Sequence, residues 1–189
     1  MRTLVAIALF FIAAATPAET WRVGGKVDSF ALSNLQGGAA RFAPGRVTVV
    51  AFISTKCPVS NRYNQRLIDL YREYSSKGVA FLFVNSNQNE PASEVEEHSR
   101  QAGYPFPVHK DDGNRVADRF GAEFTPETYV LDAAGVIRYH GRVDDAQNPA
   151  RVQHHSLRLA IDQTLAGAAV GTPETKAFGC TLKRVKKAS

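Results

Sequence analysis

Cysteine occurs only twice in the 189 residues, as Cys57 and Cys180. Two thiols are too few to staple a small scaffold, and a chain of this length closes a full hydrophobic core without them. Their expected role is redox rather than scaffolding. Metal ligation is excluded on similar grounds: the histidines His98, His109, His140, His154 and His155 have no zinc-like spacing. His154 and His155, placed on a helix, point in two directions. Copper delivery asks for a second thiolate close to Cys57, where Ser60 and Asn61 stand. The chain also lacks a glycine-rich phosphate loop, a dinucleotide fingerprint, an internal repeat and a low-complexity block. No metal and no cofactor is expected, which leaves cysteine as the reactive group.

Charge of one sign is not in large excess. Setting aside Arg2 leaves 22 basic against 18 acidic side chains, a mild net positive balance. Several of the positive charges fall in Lys183-Arg184-Val185-Lys186-Lys187, which reads as a solvated end rather than a nucleic-acid site. Long apolar runs are missing beyond the first residues, so no stable membrane insertion is expected. Those first residues, Met1-Arg2-Thr3, an apolar core over 4–15 and then Thr16-Pro17-Ala18, have the pattern of a secretory signal peptide. The core falls short of the ~20 residues that span a bilayer. No cysteine directly follows the leader, so no lipid anchor is expected. The expected organisation is a signal peptide over 1–18, one domain over 19–166 and a tail over 167–189 that carries Cys180, in a periplasmic or secreted protein.

The most informative segment is Val47-Thr48-Val49-Val50-Ala51-Phe52-Ile53-Ser54, followed by Thr55-Lys56-Cys57-Pro58-Val59-Ser60. A short β-branched and aromatic block predicts a buried strand. Pro58 in a first turn, with Leu67, Leu70 and Tyr71 at helical spacing, predicts a helix that runs to about Lys77. Cys57 then sits where unpaired N–H groups converge. The helix dipole and the adjacent Lys56 ammonium both favour the thiolate, so its pKa is expected below the free value of about 8.5. A cysteine kept for packing belongs inside the strand, whereas this one lies past its end.

Along the rest of the chain, Phe30-Ala31-Leu32 and Ala40-Arg41-Phe42 flank the turn Gln36-Gly37-Gly38 as a hairpin. A second buried strand over 79–84 follows Gly78, giving a parallel βαβ unit with a right-handed crossover. Further expected elements are a helix over 94–101, an extended segment over 104–109 and a short helix over 116–120 ended by Gly121. Thr128-Tyr129-Val130-Leu131 and Val136-Ile137-Arg138-Tyr139 then form a hairpin around Asp132-Ala133-Ala134-Gly135. A last helix over 152–165 carries Val152, Leu157, Ile161 and Leu165 inward.

With Cys57 at a helix start and Thr125-Pro126-Glu127 opening a later hairpin that continues to Gly141-Arg142-Val143-Asp144-Asp145, the chain resembles a thioredoxin-fold redoxin. The similar group includes alkyl hydroperoxide reductase and thiol-specific antioxidant proteins and is peroxiredoxin-like. The resemblance spans about residues 27–165. It implies an α/β thioredoxin-like fold, a central mixed β-sheet flanked by helices, with an N-terminal β-hairpin extension. It also implies that Pro126 is cis and that the Thr125 backbone pairs with whatever is held beside the reactive sulfur. Two departures stand out. Ser60 replaces the second cysteine of a Cys-x-x-Cys motif: its hydroxyl can donate to a thiolate but cannot attack a mixed disulfide. Ser54 matches the Thr or Ser that peroxiredoxins carry three residues before the peroxidatic cysteine, while Val50 stands in place of their Pro.

The expectation is a thiol-dependent oxidoreductase with Cys57 as nucleophile, acting on a peroxide or disulfide substrate with an external thiol reductant. Ser54, Lys56, Pro58 and Ser60 would support the thiolate and substrate, and Thr125 and Pro126 would present the substrate backbone. Peroxide cleavage asks for an arginine near the sulfur, for which Arg142 and Arg138 are the candidates. Cys180 lies in an apolar patch, Phe178-Gly179-Cys180-Thr181-Leu182, that suggests a docked tail. Cys180 is the candidate resolving thiol, with a disulfide between two tails or a free docked cysteine as the alternatives. Glu127 reads as a proton relay or, more simply, a solvated side chain. Asp144 and Asp145 read as turn caps or partners of Arg142. The reading from a different class keeps the fold without turnover, as a binding or chaperone-like module holding clients beside Pro126.

Overall fold

The protein is described by a computed structural model over residues 20–35 and 38–186. The leader over 1–18, the hairpin residues Gln36 and Gly37, and Lys187 lie outside the described residues. Alternation of buried and exposed side chains makes Phe30–Asn34 (β1) and Ala39–Phe42 (β2) an antiparallel hairpin, as expected. The strand Thr48–Phe52 (β3) is buried at every position, which suits the centre of a sheet covered on both faces. It leads into Pro58–Arg62 (α1) and Asn64–Ser75 (α2). The single helix expected here is two, because the Tyr63 amide bonds to the Ser60 carbonyl three residues back, at 2.9 Å, and tightens the turn. The Tyr63 hydroxyl donates to Asp144 at 2.9 Å and pins that turn.

Ala80–Asn85 (β4) runs parallel to β3, completing the crossover unit. The helix Ala92–Gln101 (α3), the strand Val108–Lys110 (β5) and the helix Arg115–Phe120 (α4) follow, with Gly121 closing α4. Phe124–Thr125 (β6) stops at a cis Thr125-Pro126 bond, and Glu127–Leu131 (β7) pairs with both β3 and Ile137–Gly141 (β8). The final helix, Ser156–Leu165 (α5), starts later than the periodicity suggests. Val152 belongs to the turn after Pro149–Arg151, His155 is the N-cap and His154 precedes the helix, so the histidine pair is not helical. Leu165 is exposed rather than inward. Cys180–Thr181 (β9) pairs antiparallel with β6.

The seven-stranded mixed sheet has the order β2-β1-β5-β4-β3-β7-β8. Successive β3 residues feed opposite faces, as a period of two requires. Val49, Ala51 and Ile53 pack with Tyr63, Leu67, Leu157 and Ile161 under α2 and α5. Val50 and Phe52 pack with Phe120, Tyr129, Trp21 and Leu182 under α4 and the tail. Burying Leu182 adds about 2 kcal/mol on a transfer basis, so the tail contributes to a core rather than hanging from it. Among the described residues no helix is long and apolar enough to cross a membrane.

Candidate active site

The loop after β3 brings Cys57 to the N-cap of α1, where its sulfur accepts from the Ser60 N–H at 3.3 Å. Three groups shape that loop. The Ser54 hydroxyl accepts from the Cys57 N–H at 3.0 Å, the Ser60 hydroxyl accepts from the Ser54 N–H at 3.1 Å, and Asn61 donates to the Thr55 carbonyl at 2.8 Å. Ser60 therefore reaches the sulfur through its backbone, not through the hydroxyl donation expected from sequence. The Lys56 ammonium also differs from expectation. It donates to the Asn89 carbonyl at 2.7 Å and pairs with Glu94 at 3.0 Å, so its charge is spent on α3.

Glu90 organises the loop from behind and was not singled out in the sequence. Buried to 2% exposure, it accepts from the Ser54 hydroxyl at 2.5 Å, the Thr55 N–H at 2.9 Å, the Lys56 N–H at 3.3 Å and Asn85 at 2.5 Å. Burial pushes its carboxyl up, but the hydrogen bonds from Ser54, Thr55 and Asn85 outweigh burial and hold it below the ordinary value. Lys110, buried beside it, donates to Asn85, Asn87 and the Glu90 carbonyl, and burial lowers its pKa. The sequence reading did not mark this network, since the expected extended segment over 104–109 stopped one residue short of Lys110.

The cis Thr125-Pro126 bond puts the Thr125 carbonyl 3.2 Å from the Cys57 sulfur, where a reduced thiol would donate to it. Pro126 thus turns the backbone of β6 toward the thiol. Behind it lies Glu127, buried rather than solvated. One carboxylate oxygen accepts from the Glu123 and Phe124 N–H groups at 2.8 Å, and the other from Tyr129 at 2.9 Å and His140 at 2.6 Å. Burial raises the Glu127 carboxyl, yet the His140 bond and the two N–H donors bring it below the ordinary value.

Cys180 sits across from Thr125 in β9 and is joined to Cys57 by a disulfide with 5.7 Å between Cα atoms, across 123 residues of sequence. The Cys180 N–H points at the Cys57 sulfur from 3.4 Å. Cys57 is buried, while Cys180 is half-exposed. The arginines stand elsewhere. The Arg142 guanidinium donates to Ser156 at the start of α5, and Arg138 pairs with Asp132. Asp144 does not pair with Arg142; it takes a 2.5 Å ion pair from Arg66 and the Tyr63 hydroxyl bond, while Asp145 accepts from the Gln153 N–H. The structure thus gathers Ser54, Cys57, Pro58, Ser60, Thr125, Pro126 and Cys180, and turns Lys56 and Arg142 to other partners.

A thioredoxin-like fold that sets an N-cap cysteine against a cis-proline loop and a second cysteine defines a thiol-dependent oxidoreductase. The AhpC/TSA family matches residues 23–140, and the chain belongs to that family. Thiol-disulfide oxidoreductase ResA of Halalkalibacterium halodurans is 30% identical over 122 residues, 63% of this chain and 68% of that protein. Chloroplastic peroxiredoxin Q of Oryza sativa subsp. japonica is 29% identical over 145 residues, 67% of this chain and 65% of that protein. Among solved structures, an uncharacterized conserved protein from Geobacillus kaustophilus aligns at a TM-score of 0.81 and 30% identity, covering 89% of this chain and 95% of that one. A hypothetical protein from Sinorhizobium meliloti 1021 aligns at 0.79 and 29% identity, covering 89% and 98%.

Proposed function

We propose that this oxidoreductase is an exported two-cysteine enzyme in which Cys57 is the nucleophile and Cys180 the resolving thiol, acting on a peroxide or a disulfide. The observation that carries the reading is the Cys57–Cys180 disulfide, which supplies the second thiol that Ser60 cannot. Against a hydroperoxide, the Cys57 thiolate attacks one oxygen and the O–O bond breaks. The leaving oxygen takes a proton as water or an alcohol, and a sulfenic acid remains. Cys180 then attacks that sulfur, the S–S bond forms and hydroxide leaves as water, so the two thiols lose the two electrons that the peroxide gains. Against a disulfide, Cys57 displaces one thiolate and Cys180 displaces the other. In both cases an external dithiol reduces the Cys57–Cys180 bond and becomes a disulfide itself.

Thiolate stabilisation comes from the Ser60 N–H, not from the Lys56 ammonium. Ser54 is positioned to hold the Cys57 amide, and Thr125 and Pro126 border the place where an oxidant meets the sulfur. Arg142 has no part in the proposed step, because its guanidinium is engaged by Ser156. Export is supported by the leader pattern and by a disulfide that an oxidising compartment preserves. The test is stopped-flow oxidation of the reduced protein by hydrogen peroxide and by a small disulfide, on the native chain and on Cys180→Ser. Peroxide should consume both thiols of the native chain and leave Cys180→Ser as a sulfenic acid or its adducts. Identical end products in the two proteins would remove Cys180 from the reaction.

A further inference from the structure

The sulfur of Cys57 is enclosed by backbone from three directions: the Ser60 N–H at 3.3 Å, the Thr125 carbonyl at 3.2 Å and the Cys180 N–H at 3.4 Å. The last belongs to β9, which fills the edge of β6, pairing Phe124 with Thr181 and Thr125 with Cys180. An extended polypeptide brought to this sulfur would need backbone pairing at that same edge, the ordinary way a sheet edge captures a chain. The chain's own tail already holds it.

Contacts that do not depend on the disulfide hold the tail on both sides of Cys180. Upstream, the His140 N–H donates to the Pro173 carbonyl at 2.9 Å and the Thr175 N–H donates to the His140 carbonyl at 3.0 Å, while Phe178 packs edge-on against Tyr63. Downstream, Leu182 is buried and its N–H donates to the Glu123 carbonyl at 2.8 Å, and the Lys183 and Val185 N–H groups each donate to an asparagine oxygen at 2.7 Å. Two glycines permit this closeness. A Cβ on Gly179 would fall on the Thr125 carbonyl, and one on Gly141 would fall on Thr175.

We infer that the tail stays docked in the dithiol form as a built-in edge strand, so that the oxidant of Cys57 is a small molecule and polypeptide disulfides are shut out. The inference rests on the dithiol reading above and narrows its substrate. Cys57 is buried while Cys180 is partly exposed, so a compact hydroperoxide or small disulfide reaches the sulfur pair from the Cys180 side without displacing the tail backbone. The bonds made and broken are those already written for each oxidant. A client-holding role beside Pro126 is disfavoured for the same reason, since the client's strand position is taken.

Hydrogen exchange on the full chain reads the tail directly. The amides of residues 180–182 should exchange within about tenfold of their oxidised rates after reduction, whereas a rise of about a hundredfold confined to the tail overturns the inference. Oxidation rates of the reduced chain with hydrogen peroxide, 2-hydroxyethyl disulfide and insulin read the substrate. Insulin should lag the faster small oxidant by about a hundredfold, and Gly179→Val, by pushing the tail off Thr125, should raise the insulin rate about tenfold. Insulin keeping pace on the native chain, or an unchanged insulin rate in folded Gly179→Val, overturns the inference alone. If Gly179→Val fails to fold, the native chain's exchange and selectivity decide the matter. A reduced chain that no oxidant consumes overturns the dithiol reading and this inference together.

Discussion

Glu90 stands 33 residues beyond Cys57 in sequence, yet its carboxylate sets the conformation of the loop that presents the thiol. Removing the side chain in Glu90→Ala leaves the Ser54 hydroxyl, the Thr55 N–H and the Asn85 amide without their acceptor. Each unsatisfied buried group costs about 1–3 kcal/mol, so a loss of roughly 3 kcal/mol in urea unfolding is expected, and oxidation of Cys57 should slow about tenfold as the Ser54–Cys57 bond loosens. A variant with native stability and native rate would show that the carboxylate is a bystander. At this scale local position alone marked Cys57 past the end of a strand, and the resemblance to redoxins marked Ser54 and Pro126. The sequence was silent where a partner arrives from another strand, as with Glu90 behind Ser54 and Asp144 beneath Arg66.

At the scale of elements, the joint between β6 and β7 is held by Glu127, which ties the Glu123 and Phe124 amides to Tyr129 and His140. Both Glu127 and Glu90 have folded carboxyl pKa values below the ordinary 4.5. A carboxyl depressed in the folded state binds fewer protons there than when unfolded. Its stabilisation is therefore complete above about 4.5 and is lost as pH falls through the lower folded value. The urea midpoint should hold steady from pH 7 to about 5 and then decline, with a shallower decline in Glu127→Gln from a lower starting midpoint. An equally steep decline in that variant would assign the acid sensitivity elsewhere. Strands were legible in the sequence because β3, β4 and β7 are short β-branched or aromatic blocks between turn residues, and Gly121 marked the end of α4. The break at Tyr63 and the late start of α5 were not, since a hydrogen bond three residues back and a non-helical His155 at the N-cap position leave no periodic trace.

Across the whole molecule, the hydrophobic pattern revealed a parallel βαβ unit and two hairpins, and the resemblance to redoxins supplied the mixed sheet flanked by helices and the cis bond at Pro126. The path of the tail could not be read, because chain reach permits many routes from α5 and the contacts that select one involve Leu182, Lys183 and Val185 with residues far away in sequence. The family match itself ends at residue 140, so Cys180 enters the site only through the three-dimensional path of the chain. The central claim is that these two sulfurs form one redox centre. Non-reducing peptide mapping of the reduced full chain after one equivalent of hydrogen peroxide tests it most directly. A Cys57–Cys180 linked peptide should account for most of the oxidised protein. Cys57 recovered instead as sulfinic acid or in an intermolecular disulfide, with Cys180 still free, would contradict it.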